Sequence, residues 1–233
     1  MLSQWPAPPQ ALHPEPGWVH VFRFRLDPGP EKIASLHELL SADEQERAAR
    51  YIPEDARRAF ITARGQMRTL LGAYLKRAPN SLRFAFNPQN KPSLPGCGLG
   101  FNLSHSAGMG LLAITAGPEV GVDVESTRRA VDFAPIAQRF FAPPEAAYLL
   151  GLPLAEQPRA FFAIWTRKEA YIKARGGGLS IPLDSFTVNA GLPPRLSAPD
   201  PGWSIRDIQP GPEYAAALVV WGEIHGLRLW NWE

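Results

Sequence analysis

One stretch of the sequence constrains the fold more than any other: Trp-Thr-Arg-Lys-Glu-Ala-Tyr-Ile-Lys at residues 165–173. Helix-forming residues run from about residue 159 to residue 175, and three consecutive glycines then end the predicted helix. At 3.6 residues per turn, Glu169 and Lys173 lie one turn apart on a single stripe. Taken alone, such a pair is usually an exposed ion pair worth about 0.2–0.5 kcal/mol.

A second stretch, Val-Gly-Val-Asp-Val-Glu at residues 120–125, alternates in the period of a β-strand. This period places Asp123 and Glu125 on the same face, where two carboxylates repel each other unless a cation or a basic group lies between them. A solvent-facing strand edge is the alternative. If the helix brings Glu169 beside them, three hard oxygen donors converge, and such a set suits Mg²⁺.

These two motifs, in this order and with residues 126–164 between them, resemble the paired signature of the Sfp-type 4'-phosphopantetheinyl transferases. Further stretches extend the resemblance over most of the chain. They are Lys-Pro at 91–92, Asn-Leu-Ser-His-Ser at 102–106, Phe-Phe at 140–141 and Pro-Leu-Asp at 182–184. The resemblance implies an enzyme that transfers 4'-phosphopantetheine from coenzyme A to a serine of an apo acyl- or peptidyl-carrier protein and releases 3',5'-ADP.

The resemblance also implies the architecture. We expect an α+β fold of two similar halves packed as an intramolecular pseudo-dimer, with the active site in the cleft between them. Residues 1–117 would bind the phosphates and adenine of coenzyme A, and residues 118–233 would carry the metal site and the catalytic helix. Because one chain would build the whole cleft, we expect a monomer.

The resemblance assigns roles to the acidic residues and to one lysine. Asp123, Glu125 and Glu169 would hold Mg²⁺ against the pyrophosphate, and Glu169 would also take the proton of the carrier serine. Lys173 would balance charge on the departing 3',5'-ADP. We therefore expect Glu169, Lys173 and Asp123 to be the catalytic residues.

A second set of residues is predicted to bind coenzyme A. Asn90 stands where the family usually has glycine, and asparagine tolerates a left-handed backbone. His105, flanked by two serines, is predicted to bind a phosphate. The alternatives are a structural hydrogen-bonded histidine and a Ser-His nucleophile pair. The whole predicted set is Arg47, Asn90, Lys91, Ser104, His105, Lys168 and Lys173.

Six arginines crowd a short window and predict a local basic surface, either a solvated face or an anion site. They are Arg47, Arg50, Arg57, Arg58, Arg64 and Arg68. A net charge of +2 is too small to indicate bulk nucleic-acid binding, and the sequence has no apolar run of the length of a membrane span. The single cysteine, Cys97, fits a reducing cytosol, and the Pro-rich residues 1–17 lack a signal-peptide pattern and predict an extended lead-in.

Periodicity and caps predict the remaining elements. We expect a capping box at Ser41 and Glu44, and three C-terminal strands forming a closing meander. Predicted helices cover 56–75, 134–141 and a segment opening near Glu145; predicted strands cover 18–24, 99–103, 109–115, 183–188, 203–208, 214–221 and 227–232. Two other functions stay open: a non-catalytic module that binds carrier proteins or nucleotides, and a Mg²⁺-dependent nucleotide phosphohydrolase.

Overall fold

The computed structural model describes residues 5–117 and 119–232, apart from the side chain of residue 179. Its helices and sheets form the predicted α+β fold. The predicted division into residues 1–117 and 118–233 touches residues 1–4, 118 and 233, which lie outside the described ranges, as does the start of the Pro-rich lead-in.

The first part of the chain runs as a strand, three helices, two short strands and two long strands. These elements are β1 (Trp18–Arg25), α1 (Pro30–Glu38), α2 (Ala42–Ala49), α3 (Glu54–Leu75), β2 (Ala85–Phe86), β3 (Pro92–Ser93), β4 (Leu99–Ser106) and β5 (Met109–Ala116).

The second part repeats that order and then adds one strand. Its elements are β6 (Val120–Ser126), α4 (Phe133–Phe140), α5 (Pro143–Gly151), α6 (Gln157–Arg175), β7 (Thr187–Val188), β8 (Leu196–Ser197), β9 (Trp203–Ile208), β10 (Tyr214–Trp221) and β11 (Gly226–Asn231).

The two main sheets have matching strand orders. Sheet 1 has the order β11-β1-β5-β4 and sheet 2 the order β6-β10-β9, with antiparallel pairing inside β1-β5-β4 and β6-β10-β9. The predicted closing meander is wrong, because β11 leaves β10 and pairs in parallel with β1, with Val21 opposite Leu229. Sheet 1 therefore contains residues from both sides of the predicted boundary.

Most predicted elements are confirmed within one or two residues, including the capping box at Ser41 and Glu44. Besides the meander, one helix was missed and one predicted strand is shorter than expected. The helix α1 was not expected, since only Ile33 and Leu36 of its residues are buried. The predicted strand at 183–188 shrinks to β7, because the carbonyls of Leu183 and Phe186 accept hydrogen bonds from a buried lysine instead of a neighbouring strand.

Apolar side chains form separate cores on the two faces of the sheets. One face of sheet 1 packs Phe22 against Met67 of α3, and one face of sheet 2 packs Ala217 against Tyr171 of α6. A third cluster, which includes Val122, lies between the two sheets. None of the described helices combines the length and the apolar character needed to cross a membrane.

Both parts of the chain contain a buried ion pair between two helices, Arg68–Glu44 and Lys168–Glu145, and we call each pair a clamp. In the first half, Arg68 of α3 donates to Glu44 of α2 at 2.6 Å and to the carbonyl of Leu82 at 3.2 Å. In the second half, Lys168 of α6 contacts Glu145 of α5 at 2.8 Å and donates to the carbonyl of Leu183 at 2.6 Å. Both acids also accept a hydrogen bond from the backbone N–H three residues earlier, at the start of their own helix.

The glycine that opens the acidic strand motif allows α6 to approach β6 closely. A Cβ on Gly121 would lie 2.1 Å from the carbonyl oxygen of Ala170 and 2.3 Å from the amide nitrogen of Ala174. Real Cβ atoms do not come this close to backbone atoms, so a side chain here would push the helix away from the strand.

We predict that Gly121→Ala destabilises the protein by about 2 kcal/mol or more, because overpacking against backbone atoms has no flexible side chain to absorb it. Urea unfolding measures the effect. Gly151→Ala is the matched control, since a Cβ there has no atom within 4 Å, and it should stay within about 0.5 kcal/mol of the parent. Equal stabilities for the two variants would contradict the close approach.

Candidate functional site

A cleft of about 300 Å³ opens between α3 and the C-terminal end of α6. The first part of the chain supplies most of its wall, and α6 with the glycines after it supplies the rest. The lining residues are Arg47, Tyr51, Phe60, Ala63, Arg64, Gln89, Asn90, Lys91, Pro92, Asn102, Leu103, His105, Ile172, Lys173, Gly176 and Gly178.

Five of the seven residues predicted to bind coenzyme A line this cleft. They are Arg47, Asn90, Lys91, His105 and Lys173, which come from four separate segments of the sequence. Asn90 adopts the left-handed backbone expected of it, with φ at 62°. The guanidinium of Arg47 lies 5.3 Å from the ring centroid of Phe60, which positions it on an apolar wall.

Lys91 lines the cleft, but its ammonium is already engaged. It donates to Glu119 at 2.6 Å and to the carbonyl of Ala174 at 2.7 Å. These contacts tie the loop before β3 to β6 and to the end of α6. A phosphate at Lys91 would have to replace one of them.

Ser104 does not line the cleft, because its hydroxyl is used inside the protein. It accepts hydrogen bonds from the Val124 amide at 3.3 Å and from Lys173 Nζ at 3.0 Å, and it donates to Asp123 Oδ1 at 3.0 Å. One hydroxyl offers one donor and two acceptors, so all are used. The phosphate contact of Ser104 therefore stays a prediction, and a phosphate there would have to replace one of these hydrogen bonds.

Lys168, also predicted to bind phosphate, has all of its donors engaged inside the protein. Its side chain is fully buried, and Nζ donates to the carbonyls of Leu183 and Phe186 and contacts Glu145. These three acceptors use all three ammonium donors. Lys168 is thus part of the clamp that holds α6, and it has no donor left for a phosphate in the cleft.

The predicted local basic surface is also not confirmed. Arg50 pairs with Glu46, Arg57 with Glu54, and Arg58 with Asp27, while Arg68 is buried in the clamp. Arg47 and Arg64 face the cleft, and Arg64 Nε also lies 3.9 Å from Glu44 Oε1.

Arg64 is a cleft residue that the motifs did not identify. Burial is the main cause that lowers its pKa, and its guanidinium lies 5.9 Å from the ring centroid of Phe60. The sequence could not tell which of Arg64 and Arg68 is buried, because residues four apart lie on the same side of α3. Only tertiary packing buries Arg68 and exposes Arg64 to the cleft.

Asp123 lies beneath the cleft wall, next to Lys173. The carboxylate is buried, and its Oδ1 accepts from Lys173 Nζ at 2.5 Å. Its Oδ2 is also buried and has no hydrogen-bond partner among the described residues. A buried carboxylate oxygen without a partner is costly and calls for a proton or a cation.

Glu125 and Glu169 share the electrostatic environment of Asp123. Burial raises the pKa of Glu125, with Asp123 adding to the rise, while the hydrogen bond from Ser106 at 2.8 Å opposes it. Burial also raises the pKa of Glu169 to about 7, and both other carboxylates add to the rise. The three acids are therefore close enough for each to affect the charge of the others.

The three acids do not, however, form a ready coordination shell. In the part of the chain that the structure describes, no group of three or more His, Cys, Asp or Glu side chains lies close enough together to hold a metal ion. The Lys173 ammonium instead takes one oxygen of Asp123. The donor chemistry still fits a hard divalent cation, because it consists of carboxylate oxygens, one of which is buried and unpaired.

His105 lies on β4 and faces the cleft. Burial lowers the pKa of His105, and the nearby positive charges of Lys173 and Arg64 lower it further. The imidazole is therefore neutral near pH 7, where it offers one N–H donor and one acceptor. An anion in the cleft would favour its charged form.

A family model and individual relatives of known activity both match this chain. The model of the 4'-phosphopantetheinyl transferase superfamily matches residues 119–219. The 4'-phosphopantetheinyl transferase HetI of Nostoc sp. is 34% identical over 218 residues, covering 92% of this chain and 92% of that protein. The 4'-phosphopantetheinyl transferase Sfp of Bacillus subtilis is 36% identical over 162 residues, covering 64% of this chain and 71% of that protein.

A structural likeness is more distant. A holo-(acyl-carrier-protein) synthase from Bacillus anthracis, solved in complex with CoA (3',5'-ADP), matches with a TM-score of 0.40 and 21% identity. The match covers 45% of this chain and 96% of that one.

We predict that Glu169→Gln stabilises the metal-free protein at alkaline pH. Because the folded pKa is raised from 4.5 to about 7, the native state holds an extra proton between these values, and stability falls as the pH rises through this window. Above about pH 8 the variant should be more stable by about 2 kcal/mol, and below about pH 4 it should match the parent.

Urea unfolding in the presence of a chelator, repeated across this pH range, measures the difference. Glu156→Gln is the control, since Glu156 is exposed and lies at the start of the same helix. A parent and a Glu169→Gln variant with parallel pH profiles would contradict the raised pKa.

Proposed function

Because this chain belongs to the 4'-phosphopantetheinyl transferase superfamily, we propose that its reaction takes place at the cleft between α3 and α6. The protein is an enzyme that transfers 4'-phosphopantetheine from coenzyme A to a serine of an apo carrier protein, releasing 3',5'-ADP. The observation that supports this location is the meeting of cationic residues from both parts of the chain beside three carboxylates.

The cleft has the chemistry to bind the phosphates of coenzyme A. Arg47, Arg64 and Lys173 supply positive charge, and a guanidinium offers paired donors that match phosphate oxygens. Neutral His105 would donate its N–H and take up a proton as a phosphate approaches, since the anion raises its pKa. Tyr51 and Phe60 give apolar wall for a ring such as adenine.

Glu169 is our proposed general base. In the metal-free protein, burial and the two other carboxylates raise the pKa of Glu169 to about 7, so its carboxylate is more basic than that of an exposed glutamate. The carrier serine would lose its proton to Glu169 as its oxygen attacks the β-phosphate. Lys173 lies one turn further along α6, where its ammonium would neutralise charge on the departing 3',5'-ADP.

Asp123, Glu125 and Glu169 would hold Mg²⁺. The unpaired Oδ2 of Asp123 and the mutual repulsion of the three carboxylates both favour a cation at this point. A bound Mg²⁺ would neutralise negative charge on the pyrophosphate. Lys173 donates to Oδ1 of Asp123 and would hold that carboxylate in its orientation.

The two halves support a duplicated pseudo-dimer with a single active site. The order of elements repeats, the strand orders match, and each half carries a clamp. If the clamp residues Arg68 and Lys168 are equivalent, Thr69 corresponds to Glu169 and Ala73 to Lys173. The first half then lacks the catalytic pair, so one chain would carry one site and could act as a monomer. With a single free cysteine, we place this enzyme in the cytoplasm.

We predict that Glu169→Gln slows carrier modification by about 100-fold or more, because removing a general base typically costs this much. Mass spectrometry of an apo carrier protein incubated with coenzyme A and Mg²⁺ follows the reaction, and omission of Mg²⁺ should stop it. Glu156→Gln is the control on the same helix and should be unaffected.

The same experiment separates the other functions. Breakdown of coenzyme A without modification of the carrier indicates a phosphohydrolase, and binding without either reaction indicates a non-catalytic module. A Glu169→Gln variant that modifies the carrier at the parent rate would refute the role of Glu169.

A further inference from the structure

A second cavity, of about 400 Å³, lies at the end of sheet 1 where β1 and β11 finish and β5 begins. It shares no lining residue with the coenzyme A cleft, and none of the predicted catalytic or metal residues contributes to it. Its lining residues are Arg23, Phe24, Arg25, Pro28, Lys32, Gln66, Met109, Asn231 and Trp232. We call it the rear pocket.

The floor of the rear pocket is apolar and held in place. Phe24 is 2% exposed and Trp232 is partly buried in the same core, whereas Met109, opposite Arg25, closes the pocket from the other face of sheet 1. The indole of Trp232 donates to Gln66 Oε1 at 2.8 Å, and its backbone N–H donates to the carbonyl of Arg23 at 2.8 Å. An apolar group would therefore meet a preformed surface and not have to order it.

The rim of the rear pocket carries positive charge. Arg23 is fixed there by hydrogen bonds to Asn231 Oδ1 at 3.0 Å and to the carbonyl of Pro210 at 2.6 Å. Arg25 and Lys32 are exposed and take part in no ion pair among the described residues. No described acidic residue lines the pocket.

The nearest acid in the sequence does not cancel this charge. Asp27 is paired with Arg58 of α3 at 2.7 Å, so its carboxylate is already engaged. Three cations around an apolar floor form a site whose two parts attract different ends of one molecule. A purely apolar ligand would leave the cations unused, and a small inorganic anion would leave the floor uncovered.

We propose that the rear pocket binds a small amphipathic carboxylate, with its apolar body against Trp232 and the edge of Phe24 and its carboxylate at the exposed Arg25 and Lys32. The volume suits a ligand of medium-chain length, since pockets of about 300–1,000 Å³ enclose small organic molecules. Hydrogen bonds and ion pairs from the cations fix the direction in which the ligand lies.

Isothermal titration of the full chain with decanoate, below its micelle-forming concentration and with saturating coenzyme A present, tests the proposal. We expect one saturable site per chain. Decyltrimethylammonium, which has the same tail and a cationic head, should bind at least about tenfold more weakly, because the rim repels it.

A pair of double variants tests the rim. Arg25→Glu with Lys32→Glu should weaken decanoate binding by about tenfold or more, since it reverses both exposed charges. Lys76→Glu with Arg77→Glu makes the same change in net charge on residues that line none of the described cavities discussed above, and it should leave binding within about twofold. Circular dichroism checks that both variants fold.

Three results would overturn the proposal: no saturable binding of decanoate, equal binding of the cationic analogue, or equal weakening by both double variants. Loss of binding in the presence of coenzyme A would also overturn it, because the ligand would then occupy the other cleft. The titration involves no transfer reaction, so its outcome is independent of the proposed catalytic roles.

Discussion

The candidate site depends on hydrogen bonds between two strands that belong to different sheets, a contact that we call the seam. β4 and β6 are both edge strands, and three β4 side chains accept hydrogen bonds from the β6 backbone. Asn102 accepts from the amide of Val122 at 2.9 Å, Ser104 from that of Val124 at 3.3 Å, and Ser106 from that of Ser126 at 3.3 Å. The spacing of two residues on both strands fixes their register, because side chains on one strand face recur with this period.

The seam also controls the acids. The hydroxyl of Ser104 donates to Asp123, and that of Ser106 donates to Glu125 at 2.8 Å. The same groups thus hold the β6 backbone and orient its two carboxylates. From the other side, Gly121 lets α6 approach until Lys173 reaches Asp123. Buried charges are tolerated here because each has an opposite charge or a hydroxyl nearby.

Local patterns predicted the elements of this site, and tertiary contacts decided what each side chain does. The helix bearing Glu169 and the strand bearing Asp123 followed from periodicity, caps and glycines. The sequence could not separate Lys168 from Lys173, or Arg68 from Arg64, since each pair lies on one helix near the same motif. In each pair one residue, Arg68 or Lys168, is buried against the capping-box glutamate of another helix. That glutamate lies more than twenty residues earlier in the sequence, so local patterns do not reveal the contact.

The sequence also could not predict the hydrogen bonds between β4 and β6, because they depend on which face each side chain takes in the folded chain. Asn-Leu-Ser-His-Ser suggests a phosphate-binding turn, because serine and histidine are good phosphate partners. In the folded chain this segment is a strand, and its alternate residues turn toward β6. His105, between two seam residues, faces the cleft instead. The alternation therefore gives the residues of one motif two roles: the side chains of Asn102, Ser104 and Ser106 hold β6, and His105 faces the cleft.

Native-state amide hydrogen exchange at Val124 tests the seam most directly, because its N–H donates to the Ser104 hydroxyl. In a Ser104→Ala variant, exchange at Val124 should rise by about fivefold to tenfold, the loss of one hydrogen bond of about 1 kcal/mol, while Val122 keeps its bond to Asn102 and changes little. Unchanged protection at Val124, or an equal rise at both amides, would contradict the account that individual β4 side chains hold β6 in register.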